Sequence, residues 1–240
     1  MYPDVCGLYD PVFESDACGV SIIANLQSVA SNHIVDAGLT MLERMEHRGA
    51  HGCEIATGDG AGIMLEIPDE FFRHQIPNLP MAGDYAVAVV FLPKDNDQRN
   101  ICLNEIEEAL PLFSCKQIFR REVVVDSQLL GFTASSGEPY IEQIFIVSSD
   151  DNHDLKKFEQ SLILLRYYIH NKVNSLYSEK YNEIKDKFYI AGCSNKTIIY
   201  KGQLTTSRLR KYYMDLHNPE LKSRYAITHS RFSTNTFPSF

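Results

Sequence analysis

The chain has 240 residues, 44% hydrophobic and 22% charged, enough to fill a sizeable core in one or two domains. Its net charge of −8 argues against a nucleic-acid or anionic-membrane partner. No apolar run approaches the roughly 18–20 residues that span a bilayer, and residues 1–17 lack the basic and apolar regions of a secretory signal. Cysteines stand at 6, 18, 53, 102, 115 and 193 without a C-x-x-C pair, so neither a disulfide framework nor a zinc site is indicated, and a reducing cytoplasm is the expected setting. His47, His51 and Cys53 lie close together but lack a fourth ligand and the usual ligand spacing.

In chain order, residues 1–17 read as a polar, turn-prone leader and 18–26 as a strand. Ile34, Val35, Leu39, Leu42 and Met45 recur at helical spacing, predicting a helix over about 32–47 that Gly49 stops. Glycines at 52, 58, 60 and 62 predict a loop able to approach a ligand or another segment closely. A strand over 63–67 and a short helical turn from Pro68 follow. Tyr85 to Leu92 reads as a strand, about 96–110 as a helix, 117–125 as a strand, 135–139 as a loop and 143–148 as a strand. The clearest helix is about 152–176, with Leu155, Phe158, Leu162, Leu165, Ile169 and Val173 on one face. Residues 188–193 and 197–200 suggest a hairpin around Ser194-Asn195-Lys196, followed by a helix near 205–213 and a last strand over 225–231. Grouped strands with short connections favour a layered α+β fold over a doubly wound parallel sheet.

Cys18 stands at the seam between the polar leader and the apolar run Gly19-Val20-Ser21-Ile22-Ile23-Ala24-Asn25. A cut before Cys18 would place a thiol and a free α-amino group on one residue, a nucleophile with its own base. That amino group has a pKa of roughly 7.7–8, whereas a lysine at about 10.4 would be almost fully protonated. While Ala17 remains attached, the same nitrogen is an amide. Taken alone, Cys18 fits a packed strand cysteine better, because free cysteine behaves as a small hydrophobe.

Three further stretches change that balance. They are Glu46-His47-Arg48-Gly49-Ala50-His51-Gly52-Cys53 running on to Thr57-Gly58-Asp59-Gly60-Ala61-Gly62-Ile63; Lys187-Phe188-Tyr189-Ile190-Ala191 with Thr197-Ile198-Ile199-Tyr200-Lys201-Gly202; and His229-Ser230-Arg231-Phe232-Ser233-Thr234-Asn235-Thr236-Phe237-Pro238. With the Cys18 run, and with Gly7-Leu8-Tyr9-Asp10-Pro11 and Glu138-Pro139-Tyr140-Ile141-Glu142-Gln143, the chain resembles the class II glutamine amidotransferase domain of the glutamate synthase large subunit. The resemblance implies an N-terminal-nucleophile hydrolase fold, an αββα four-layer sandwich, incomplete here. Residues 1–17 would be a propeptide and 18–240 the N-terminal portion of the amidotransferase domain, with about 85–176 as a possible inserted lobe.

By the same resemblance, Cys18 attacks the side-chain amide of L-glutamine, releasing ammonia and leaving a glutamyl thioester for water. Arg231 grips the α-carboxylate, a task its planar fork suits better than lysine. Read only as a strand-end charge, Arg231 would be a structural ion pair. Ser233 and Thr234 hold the loop and meet the substrate's polar end. Arg48 and Gly49 brace the site, although a cation closing a helix also explains Arg48. Asp59 reads as a turn former, and His47 and His229 as structural. The family's ammonia aminates 2-oxoglutarate in a part carrying FMN and an iron–sulfur cluster; no matching cysteine cluster stands here, so neither cofactor is expected in this chain. The implied partners are the rest of the large subunit and a reductase subunit.

Two departures stand out: Ser21 replaces a usual glycine, and Ser230 stands where glutamine is common. The family continues past the Thr-Phe-Pro-Ser phrase into an Asn-Gly-Glu-Ile-Asn segment that forms its oxyanion hole, so these 240 residues by themselves are expected to lack glutaminase activity and to expose a sheet edge. The alternatives are a stand-alone amidotransferase subunit of a split enzyme and an inactive interaction module that keeps the fold.

Overall fold

A computed structural model describes residues 18–49, 54, 56–150, 154–176, 184, 187–233 and 237–240. The expected leader and Thr234, His51 and Cys53 lie outside these residues. The described part is α+β, with two four-stranded sheets, every ladder antiparallel. The strands are β1 (Gly19–Ala24), β2 (Ala61–Glu66), β3 (Tyr85–Leu92), β4 (Cys115–Glu122), β5 (Tyr140–Ser148), β6 (Tyr189–Ser194), β7 (Thr197–Gly202) and β8 (Tyr225–Ser230). The helices are α1 (Asn32–Arg44), α2 (Asp69–Arg73), α3 (Asn96–Ala109), α4 (Phe132–Gly137), α5 (Leu155–Leu176) and α6 (Thr206–Tyr212). The first sheet runs β1-β8-β2-β7 and the second β4-β5-β3-β6.

Strand periodicity explains how the second sheet is buried. All eight residues of β3 are buried. Tyr85, Val87, Val89 and Phe91 enter one core, whereas Ala86, Ala88, Val90 and Leu92 enter a second core against α3 and α5. Helix α5 supplies that second core with Phe158, Leu162, Leu165, Ile169 and Val173. Leu155, expected on the same face, is instead 44% exposed at the start of the helix.

The first sheet differs. Helix α1 turns Ile34, Val35, Leu39 and Leu42 into the core beneath β1 and β8. Ile63, Leu65, Ile198, Tyr200 and Ala226 face that side. Directly opposite residues of an antiparallel ladder share a face, so the pairs Val20↔His229, His229↔Gly62 and Gly62↔Lys201 set one row on the other face. That face is open: Val20 and Ile22 are 66% and 65% exposed.

The two sheets meet along β6, β3 and β7. Arg121 on β4 donates two hydrogen bonds of 2.8 Å to Asp215 and one of 2.9 Å to Gln143 on β5, while Tyr200 on β7 donates to the same Asp215 at 3.1 Å. This buried charge network ties the second sheet to the first.

Two local expectations are corrected. Residues 135–139 are not all loop, because α4 covers 132–137. Its first amides, Phe132 and Thr133, each donate to the Glu54 carboxylate at 3.0 Å, and Ser136 bonds back to the Thr133 carbonyl. Strands β6 and β7 do not form a hairpin ladder, since β6 pairs with β3 and β7 with β2. The turn between them is held by side chains: Ser194 Oγ and the Asn195 amide both donate to Glu159, at 2.7 and 2.8 Å. With its polar groups satisfied in this way, the turn can send the chain from one sheet to the other.

Candidate active site

Cys18 precedes the first residue of β1, where Gly19 pairs with Ser230 at the end of β8. One step further along the same register, Cys18 stands beside the segment 231–233. Its side chain is exposed, and Sγ lies 3.4 Å from the Phe232 nitrogen and 3.7 Å from the Phe232 oxygen. The amide can donate to sulfur, and the thiol can donate to the carbonyl. The other described cysteines are placed differently. Burial pushes the thiols of Cys102, Cys115 and Cys193 up to about 12, about 11 and about 12, which keeps them protonated and unreactive.

The glycine-rich loop holds the far side of segment 231–233. The Arg231 amide donates to the Gly60 carbonyl at 2.9 Å, and the Ser233 amide donates to Asp59 Oδ2 at 2.5 Å. Asp59 is therefore a cross-chain clamp as well as a turn residue. Gly60 has φ of +147°, and a Cβ there would lie 3.4 Å from Arg231 Cδ, so a side chain would strain the loop and crowd the aliphatic stem of Arg231.

Arg48 and Gly49 lie on the opposite side of this ladder end. They close the helical turn after α1, where the Gly49 amide donates to the Glu46 carbonyl at 3.1 Å. A Cβ on Gly49 would fall 2.7 Å from Ser230 Oγ, and one on Gly19 would fall 2.9 Å from Arg48 Cβ. The segment therefore fits directly under the last ladder pair. His47 turns back to its own helix, with Nδ1 3.1 Å from the Arg44 carbonyl. Of the two departures noted in the sequence, Ser21 forms a 2.5 Å hydroxyl pair with Thr228 across the ladder. Ser230 Oγ is buried, as is Ser233 Oγ, and neither has a hydrogen-bond partner among the described residues.

A cavity of about 400 Å³ opens on the exposed face beside this segment. Gly60, Gly62 and Gly202 leave space across its floor, and Met64, Ile199 and Ile227 form an apolar end. Arg231, His229 and Lys201 bring positive or protonatable groups to it, and its one carboxylate, Asp59, already accepts the Ser233 amide. Lys201 Nζ lies 4.5 Å from the Tyr189 ring centroid. Burial lowers the Lys201 pKa, and the charges of Arg231 and Arg166 lower it further. Partial burial and then the Arg231 charge hold His229 below its ordinary 6.5. Such a lining suits a ligand that ends in a carboxylate. Sequence reading missed Lys201, the Asp59 clamp and the place of His229 in the cavity. Alternation along β7 and β8 carried part of the signal, but the register that aligns the two strands across Gly62 did not.

The family profile for class-II glutamine amidotransferases matches residues 18–240. The chain belongs to this family. Among its relatives, the glutamate synthase [NADH] of Saccharomyces cerevisiae is 40% identical over 100% of this chain and 11% of its own length. The glutamate synthase [NADPH] large chain of Bacillus subtilis is 38% identical over 99% of this chain and 15% of its own. The ferredoxin-dependent glutamate synthase 2 of Synechocystis is 36% identical over 95% and 14%. The amidotransferase chain thus spans 11–15% of the length of these relatives. Its profile match begins at Cys18, the residue whose thiol lies against Phe232.

Proposed function

We propose that this chain is the glutamine-hydrolysing portion of a glutamate synthase, with Cys18 as nucleophile and the 18–240 segment as the N-terminal part of the amidotransferase domain. The observation that carries the reading is the exposed Cys18 thiol against segment 231–233, whose Arg231 lines a cavity together with Lys201.

In this mechanism residues 1–17 are removed, and residue 18 begins the mature chain. The new α-amino group takes the thiol proton as Sγ bonds to the carboxamide carbon of L-glutamine. Arg231 holds the α-carboxylate by paired hydrogen bonds, and Ser233 and Thr234 bound the polar end of the substrate. The ammonium form of the α-amino group returns its proton to the leaving nitrogen, so that ammonia departs and a γ-glutamyl thioester remains. Water then attacks the thioester carbon, yielding glutamate and restoring the thiol. Arg48 and Gly49 keep the last pair of β1 and β8 in place.

The ammonia feeds amination of 2-oxoglutarate elsewhere in the enzyme, where the resemblance implies FMN, an iron–sulfur cluster and a reductase partner. The described residues do not fit a metal cluster: no three histidine, cysteine or acidic side chains converge. No step here passes through either group. In this reading the open face of the first sheet, with Val20 and Ile22 outward, is covered by a further sheet in the complete four-layer sandwich, and 85–176 is an inserted lobe.

The test is Cys18→Ala in the full-length enzyme. Glutamine-dependent synthesis is expected to fall by roughly 10⁴-fold or more, the scale seen when a covalent nucleophile is removed. Ammonia-dependent synthesis should persist. Surviving glutamine turnover, or an active enzyme whose intact mass retains residues 1–17, would refute the mechanism.

A further inference from the structure

In an extended antiparallel strand, successive residues turn their amides and carbonyls to opposite neighbours. Segment 231–233 follows that rule beyond the end of β8. Arg231 and Ser233 turn their amides toward the glycine-rich loop, and Phe232, between them, turns its amide toward Cys18. Strand β2 begins only at Ala61. The backbone of Gly60 satisfies Arg231, but the ladder offers no strand residue to the Ser233 amide, and the Asp59 carboxylate takes it at 2.5 Å across 174 sequence positions. Asp59 is only 9% exposed, and a carboxylate so placed needs such a donor. A residue that served the turn alone would leave its side chain in water.

We propose that Asp59 is a positioning residue for Cys18: its side chain extends the ladder past the end of β2, holding the Phe232 peptide on the thiol and the Arg231 backbone against Gly60. The proposal rests on the reading of Cys18 as nucleophile. It assigns Asp59 no contact with substrate and no proton transfer. What Asp59 supplies is an acceptor at one fixed point, so asparagine, whose side-chain oxygen can accept the same amide, should substitute for it. Alanine should not. Without the clamp, the Phe232 peptide is free to swing, and the attack geometry is lost while the thiol remains accessible.

The experiment compares Asp59→Ala and Asp59→Asn in the full-length enzyme by three readouts. These are the rate at which a γ-diazoketone analogue of glutamine is captured at Cys18, the rate at which iodoacetamide alkylates Cys18, and ammonia-dependent synthesis. In Asp59→Ala, capture of the analogue should fall about tenfold or more, as expected when a positioning contact is lost. Alkylation by iodoacetamide should stay within about twofold of the parent, since the thiol stays exposed. Ammonia-dependent synthesis should be unchanged, and Asp59→Asn should recover capture to within about threefold, because its side-chain oxygen keeps the acceptor.

Unchanged capture in Asp59→Ala would overturn the proposal. So would an Asp59→Asn enzyme as impaired as Asp59→Ala, because charge rather than acceptor geometry would then matter. Ammonia-dependent synthesis falling by the same factor as capture would reduce Asp59 to a general folding element and overturn it equally. If the parent enzyme captures the analogue at a residue other than Cys18, the nucleophile assignment itself fails, and the positioning role fails with it.

Discussion

The two sheets solve opposite problems. The inner strands of the second sheet are covered on both faces, and β3 has no exposed residue. The first sheet is covered on one face by α1 and α6 and leaves the other open, with Cys18, Arg231, His229 and Lys201 at or beside that side. Burial on both faces gives a sheet stability; a bare face gives it access to ligand. Where the sheets meet, Arg121, Asp215, Tyr200 and Gln143 place the main buried charge pair away from the cavity. Changes at the seam should therefore act on stability, and changes on the open face on chemistry.

The largest expected effect after loss of Cys18 tests the seam. Asp215→Ala strands the Arg121 guanidinium in a buried site and also removes the acceptor for Tyr200. Loss of one partner of a buried pair costs about 3–5 kcal/mol, which equilibrium denaturation of the variant would measure. A loss below about 1 kcal/mol, the value of an exposed pair, would mean that water replaces the network.

Arg231→Lys tests the open face. Charge remains but the paired hydrogen bonds do not, so KM for glutamine should rise about tenfold, equivalent to roughly 1.4 kcal/mol, with kcat less affected. Steady-state kinetics that leave KM unchanged would return Arg231 to a structural role.

Ile22→Ser distinguishes a face left in water from one that is covered. If a further sheet covers Ile22 in the full-length protein, the substitution should cost more than about 1 kcal/mol, since a buried isoleucine contributes roughly 1.5–3 kcal/mol. A change within about 0.5 kcal/mol would place Ile22 in solvent in the assembled enzyme too.

The smallest effect is electrostatic. His229 should titrate below 6.5 by NMR, because partial burial and then Arg231 disfavour its charged form. The unfolded chain then takes up the proton first. The stability from keeping His229 neutral is complete above about 6.5 and is lost as pH falls towards the lower folded value. Arg231→Met should raise the midpoint part of the way only, because burial remains.

The sequence revealed different amounts of the two regions. Strand β3 was legible to the residue, because an unbroken apolar run between turns has few other uses. The buried stripe of α5 was legible from Phe158 to Val173, since a single helical period fixes it. The β6–β7 connection was misread because a two-residue link between strands is the local signature of a hairpin. Nothing local records that Glu159, in the first turns of α5, holds the turn.

 For the proposed site, Cys18, Arg231, Arg48 and Gly49 were singled out by residue type, and the structure places them at one end of the β1–β8 ladder. Asp59 was underread because Gly-Asp-Gly is a common turn, and its partner Ser233 lies 174 positions away. Lys201 was missed because its place in the cavity depends on the β2–β7 register, which no short motif encodes.

The link between β6 and β7 has a mechanical consequence. Asn195 and Lys196 alone separate a strand of one sheet from a strand of the other, and Glu159 of α5 fastens Ser194 and Asn195. So short a tether leaves almost no slack, and neither sheet can slide or tilt far without pulling on its neighbour. A disturbance entering at the cavity floor through Gly202 and Lys201 on β7 would be felt in α5 as strain, not absorbed by a yielding loop. Amide exchange in β7 and in the turn at 194–196 should accordingly slow or quicken together when the cavity is filled; independent responses would mean that the tether yields.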